Sequence, residues 1–233
     1  MTEFLAALNI QITVKNKVEG LLHGYYGYTP DVKAAHALLE REVSKSKPWA
    51  LEMKLEGLLS GSHLYPINEI AAHDLIEIEA TKGTPWGIEK KWKGLIKGRY
   101  GYEKNEAAAG ELIELEINKN NPWAKIMKIK GVGQGWFGYI KNETAAHDLL
   151  EEEIRKNNPW AIETKFEALT EGGYGYEKNE SAARDLLEQE VNRGNINAAE
   201  RKLLYIKRGL YGYQQSRNAV HDFLYAEIDK GNL

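Results

Sequence analysis

The chain of 233 residues carries 31 Lys+Arg against 34 Asp+Glu, no Cys, and an uneven aromatic set of 13 Tyr, 6 Trp and 4 Phe. A 42% hydrophobic content is enough for the core of one domain or two small ones,. A net charge of -3 argues against general nucleic-acid binding or an anionic membrane surface, and the lack of Cys excludes a disulfide framework, a thiolate metal site and a catalytic thiol,. No apolar run reaches the roughly 18 residues of a membrane span. The start, Met1-Thr2-Glu3-Phe4, has no basic segment ahead of an apolar one,. The expected compartment is the cytoplasm.

Along the chain, residues 1–17 look like half of a unit, with Phe4-Leu5-Ala6-Ala7-Leu8 available to cap the first repeat. Then Tyr26-Gly27-Tyr28 opens a series continued by Tyr100-Gly101-Tyr102, Phe137-Gly138-Tyr139, Tyr174-Gly175-Tyr176 and Tyr211-Gly212-Tyr213, with His63-Leu64-Tyr65 as a degenerate copy. The centres at 27, 64, 101, 138, 175 and 212 are spaced by 37 residues with no insertion,. Past each triplet stands a helix N-cap residue: Asp31, Asn68, Asn105, Asn142, Asn179 or Ser216,. Glu69, Glu106, Glu143 and Glu180 come directly after four of these, where a carboxylate suits the positive end of a helix,. An amphipathic helix B comes next, with Ala34, Ala71, Ala108, Ala145, Ala182 and Ala219 at one register. The next helix A opens with Pro48-Trp49, Pro85-Trp86, Pro122-Trp123 or Pro159-Trp160, proline at the first helical position costing no hydrogen bond,. It runs to Gly24, Gly61, Gly98, Gly135, Gly172 or Gly209, each placed to end a helix in the left-handed conformation,. No strand period appears. The expected fold is all-α, a right-handed superhelical α/α solenoid of six 37-residue two-helix repeats forming a single domain over 1–233,.

These features resemble the Sel1-like repeat family, relatives of the tetratricopeptide repeats. Leu95 and Gly98, the turn Gly101-Tyr102, Asn105, Ala108-Ala109 and Asn121-Pro122-Trp123-Ala124 correspond to its pattern, as does Gly194-Asn195-Ile196-Asn197-Ala198. The turn departs from it in having Gly-x-x-Gly spacing, and helix B lacks the usual Trp-Tyr pair. The resemblance implies a TPR-like scaffold for protein partners, with no cofactor and no chemistry of its own.

Residues with chemical potential recur too regularly to mark an active site. His36, His73, His147 and His221 share one register, but stacked layers roughly 10 Å apart exceed the reach of about 2 Å metal–nitrogen bonds,. Glu42, Glu79, Glu116, Glu153, Glu190 and Glu227 alternate with Lys17, Lys54, Lys91, Lys128, Lys165 and Lys202. The expected reading is a ladder of ion pairs between helices, not a catalytic Lys/Glu pair. Tyr28, Tyr65, Tyr102, Tyr139, Tyr176 and Tyr213 are expected to pack in the A–B turns with surface hydroxyls, and Gly131-Val132-Gly133-Gln134-Gly135 to be a glycine-thinned helix A.

If shared positions hold the array together, function belongs where copies differ. One stripe of helix A varies throughout: Asn16/Glu19/His23, Met53/Glu56/Ser60, Lys90/Lys93/Lys97, Met127/Lys130/Gln134, Thr164/Glu167/Glu171 and Arg201/Leu204/Arg208,. Just past the glycine, Tyr25, Arg99 and Trp136 occupy a second variable register. The partner-binding residues expected from this are Lys90, Lys93, Lys97, Arg99, Lys130, Gln134, Trp136, Tyr25, Glu167, Glu171 and Arg208,. They suit a protein or peptide with an acidic surface, held by a monomeric, non-enzymatic scaffold, adaptor or inhibitor. The competing expectation is an RNA- or nucleotide-binding helical array, against which the net acidity weighs.

Overall fold

The computed structural model describes residues 13–62 and 65–229. Residues 1–12 of the cap expected over 1–17, His63-Leu64 of the degenerate triplet and the final Gly231-Asn232-Leu233 lie outside them, while residues 14–17 belong to the first helix, Val14–His23. Among the described residues there are twelve α-helices and no β-strand. Helix A of successive copies is α1 (Val14–His23), α3 (Pro48–Ser60), α5 (Pro85–Lys97), α7 (Pro122–Gln134), α9 (Pro159–Glu171) and α11 (Ile196–Arg208). Helix B is α2 (Val32–Ser44), α4 (Glu69–Thr81), α6 (Glu106–Asn118), α8 (Glu143–Arg155), α10 (Glu180–Asn192) and α12 (Arg217–Asp229). This is the all-α solenoid of two-helix repeats that the 37-residue period predicts.

The helix ends are set by their cap residues. Asn68, Asn105 and Asn142 side chains each accept a hydrogen bond of 2.9 Å from the third residue on, and Asp31, Asn179 and Ser216 cap their helices in the same way,. Gly24, Gly61, Gly98, Gly135 and Gly209 end their A helices in the left-handed conformation,. The fifth copy differs: Gly172 has φ +85° but an extended ψ of 160°, and Gly173 sits at φ +122°. There Gly173 and Tyr176 exchange backbone hydrogen bonds of 3.2 and 2.9 Å across a small bridge. The register before the central turn glycine also adopts positive φ without being glycine: Tyr26, Tyr100, Phe137, Tyr174 and Tyr211 lie between +50° and +59°,.

The residues group into two compact units, Met1–Ala109 and Gly110–Leu233. In the first, α1 to α5 each pack on the next, around Val18, Leu39, Leu51, Leu55 and Ile76, none more than 2% exposed. In the second, α7 to α12 do the same around Ile129, Leu150, Phe166 and Leu187. Small residues allow the close approach of neighbouring helices: Ala35, Ala72, Ala109, Ala146 and Ala183 are wholly buried. Gly20, Gly57, Gly94 and Gly131 lie so near Tyr28, Tyr65, Tyr102 and Tyr139 that an added Cβ would meet the ring at 2.4–2.5 Å. Gly131 and Gly133 lie inside α7, so the glycine-rich run is helix, as expected.

Candidate interaction face of the A helices

The recurrent polar ladders are built differently from the sequence expectation. Lys54, Lys91, Lys128, Lys165 and Lys202 donate not to Glu42 and its equivalents but to Glu40, Glu77, Glu114, Glu151 and Glu188, at 2.6–2.9 Å. The same five carboxylates accept from the hydroxyls of Tyr65, Tyr102, Tyr139, Tyr176 and Tyr213, so these phenols are engaged inside the fold and not left at the surface. Each set therefore joins helix B to the next helix A and to the turn beyond it. The buried Glu79, Glu116 and Glu190 lie on another side of helix B, where they accept from Lys82, Lys119 and Arg193 near their own helix end at 2.6–2.7 Å. Glu116, Glu153 and Glu190 also accept from the side-chain amides of Asn121, Asn158 and Asn195, which cap the next helix A. In these three copies the recurrent acid is thus a tie between the end of one helix and the start of the next.

These sets fix a pH response. Burial pushes the carboxyls of Glu40, Glu77, Glu114 and Glu151 upward, but the hydrogen bonds from Tyr and Lys outweigh it and leave them below the usual carboxylate value,. Their contribution is full above the ordinary Glu value of 4.5 and is lost as pH falls through the lowered one,. The Tyr phenols are pushed up, first by burial and then by the facing carboxylate. Their contribution is full below the ordinary Tyr value of 10 and is lost as pH rises beyond it,. Thermal melts against pH should show a plateau falling on both sides, and Tyr176→Phe should make the alkaline limb shallower. An unchanged alkaline limb in that variant would count against the assignment.

The histidine register is a contact with the next turn. His36, His73 and His147 pack on Tyr65, Tyr102 and Tyr176 with ring centroids 5.1, 4.5 and 4.6 Å apart. At the same register, Arg184 Nη1 donates to the Gly212 carbonyl at 3.4 Å. Gly110 leaves room for the Phe137 carbonyl, which an added Cβ would meet at 2.6 Å.

The variable stripe of the A helices falls into both units. In the first, Lys90 reaches back to Glu52 on the preceding helix A at 2.7 Å and lies 5.9 Å from the centre of the Trp86 ring. Lys93 pairs with Glu89 one turn earlier. Two of the four expected cations there are thus matched by carboxylates of the chain itself, while Lys97 and Arg99 are exposed at the end of α5. Tyr25, 57% exposed, packs edge-on to Tyr26 and against His23.

In the second unit, Lys130 lies 5.6 Å from the Trp160 ring centre, and Gln134 is exposed at the last position of α7. Trp136 is 51% exposed and touches Phe137. Glu167 and Glu171 are exposed on α9 and line a groove of about 720 Å³ between α9 and α11; Arg208 is exposed in the last turn of α11. Four aromatic side chains of that groove, Trp160, Phe166, Tyr205 and Tyr211, were not among the expected site residues. Phe166 stacks on Tyr205 at 5.8 Å and meets Tyr211 edge-on at 6.0 Å, while Tyr205 and Tyr211 lie 4.8 Å apart. Only Tyr205 carried a signal, a break in the repeat, since it stands at the register of Gly20, Gly57, Gly94 and Gly131. Arg201 lies 5.2 Å from the Phe166 ring centre and pairs with Glu163.

Among the described residues no helix is long and apolar enough to cross a membrane. No protein-family model matches the chain, and no curated protein matches it. Solved structures do. A Sel1 repeat protein from Oxalobacter formigenes is similar with a TM-score of 0.55 and 15% identity, covering 91% of this chain and 82% of that one. A protective antigen of uropathogenic Escherichia coli strains, c5321, which displays an SLR fold, is similar with a TM-score of 0.54 and 14% identity. That match covers 98% of this chain and 48% of the antigen, so the chain spans about half of its length. The likeness extends the resemblance read from the turns and caps to the fold as a whole.

Proposed function

We propose, from the Sel1-repeat fold shared with these structures, that the chain is a non-enzymatic scaffold, an adaptor or inhibitor, that holds a segment of another protein against the variable stripe of its A helices. The observation that carries this reading is the division of labour between positions. The recurrent Glu–Lys–Tyr sets, although they contain the ingredients of acid–base chemistry, repeat five times with the same partners and serve to join helices. The positions that differ between copies, among them Lys97, Arg99, Trp136, Glu167, Glu171 and Arg208, present exposed charge or an exposed aromatic ring. Exposed Arg and Trp are typical anchors of protein interfaces.

Immobilised full-length chain, incubated with lysate at low and high salt and with or without RNase, tests the reading. A protein partner retained after RNase is expected. Loss of the bound material on RNase treatment would favour the RNA-binding alternative. Reversing charge at Lys97→Glu together with Arg99→Glu should weaken an acidic partner roughly ten-fold, about 1.4 kcal/mol, with the melting temperature unchanged. Unchanged affinity would remove the end of α5 from the site.

A further inference from the structure

We infer that the groove between α9 and α11 is a docking site for an arginine-bearing, cationic segment of a partner protein; this deepens the scaffold reading and rests on it. Three features converge there. The groove has a volume of about 720 Å³, sufficient for one or two large side chains together with the peptide that carries them,. Its charged lining consists of Glu163, Glu167, Glu171, Glu190 and Glu200 against the single cation Arg201. Glu190 is matched by Arg193 and Glu163 by Arg201, whereas Glu167 and Glu171 are exposed along the α9 side. Its aromatic lining is Trp160 and the Phe166–Tyr205–Tyr211 cluster, and aromatic ring faces attract cations,.

The chain's own Arg201 demonstrates the mode of recognition. Its guanidinium lies against the Phe166 face while pairing with a carboxylate at the groove edge. A planar guanidinium makes both contacts at once, stacking on a ring and pairing with a carboxylate, whereas a lysine ammonium is a compact and strongly hydrated point charge. A second guanidinium entering beside Tyr205 and Tyr211 would find the same combination, with Glu167 and Glu171 in place of Glu163. Neutral apolar segments would leave these carboxylates without compensation, and acidic segments would be repelled.

Fluorescence anisotropy with a labelled, short alternating Arg-Ser peptide and the full chain tests this. The Arg-Ser peptide should bind more tightly than a Lys-Ser peptide of equal charge and should weaken as salt is raised. Glu167→Lys with Glu171→Lys should reduce its affinity roughly ten-fold or more. Glu177→Lys with Asp185→Lys, an equal charge change outside the groove, should leave most of the affinity. Circular dichroism melts confirm folding of each variant, and Glu167→Gln with Glu171→Gln replaces the charge reversal if that variant does not fold. Equal weakening by the two double variants, or Lys-Ser binding as tight as Arg-Ser, would overturn the assignment. A chain that ignores the Arg-Ser peptide but still retains a lysate protein would overturn it too, while leaving the scaffold reading standing.

Discussion

Replacing Glu151 by Leu is expected to destabilise the chain by about 2–3 kcal/mol, because one carboxylate serves two partners at once. Lys165 donates to it at 2.6 Å, and the Tyr176 hydroxyl donates to it from the turn after α9. Only 24–25% of the Lys165 and Glu151 side chains is exposed, so water restores part of what is lost but not all of it. The same geometry predicts strong non-additivity. Lys165→Met in the wild-type background leaves Glu151 facing Tyr176 alone, whereas in the Glu151→Leu background it removes a cation that has already lost its partner. A double-mutant cycle on thermal melts should give a coupling of roughly 1–2 kcal/mol. The triple change Glu151→Leu, Lys165→Met, Tyr176→Phe should recover much of the loss, since apolar replacement of a whole polar set is far milder than breaking it. Strict additivity would show that the three groups do not act as a unit.

Ala146→Leu is expected to cost roughly 3 kcal/mol, by overpacking at a contact between α7 and α8,. Ala146 is wholly buried, and its Cβ lies 3.4 Å from where a Cβ on Gly133 would stand. Three more carbons on a wholly buried side chain must displace their neighbours, and the space beside Gly133 is already taken by the Tyr174 ring, 2.7 Å from that same point. For a chain of this size the melting temperature should fall by about 6–12 °C. Ala145→Ser, one position away and half-buried, should change it little,.

Local rules made the helices legible. Cap residues, first-position prolines and terminal glycines act within a few residues of themselves, and the 37-residue period multiplied each signal by six. Only Gly172 departs, and its neighbour Gly173, unique to that copy, was the visible mark of a rebuilt turn. The polar ladder was harder because level along a helix pair is only half of the geometry. Glu40 and Glu42 lie at nearly the same height, but two residues turn a helix by about 200°, so they face opposite ways. Azimuth selects Glu40 for Lys54 and Tyr65, and sends Glu42 inward to the helix junction. The candidate face mixed both cases. Exposure of Lys97, Arg99 and Trp136 came from their place near the end of an A helix. Neutralisation of Lys90 did not, because Glu52 belongs to the preceding copy. The Phe166–Tyr205–Tyr211 cluster likewise assembles from two adjacent copies, and Phe166 seen alone is indistinguishable from an ordinary core residue.

In the proposed division of labour, recurrent positions hold the fold and variable A-helix positions hold the partner. Melting temperature and affinity for the Arg-Ser peptide, measured together on Lys165→Met and on Glu167→Lys with Glu171→Lys, separate the two roles. The predicted result is a lower melting temperature for Lys165→Met, with affinity retained at temperatures where the variant is folded, and an unchanged melting temperature with affinity lost for the Glu167/Glu171 pair. Selective loss of binding in a fully stable Lys165→Met, with the Glu167/Glu171 variant binding as wild type, would contradict it.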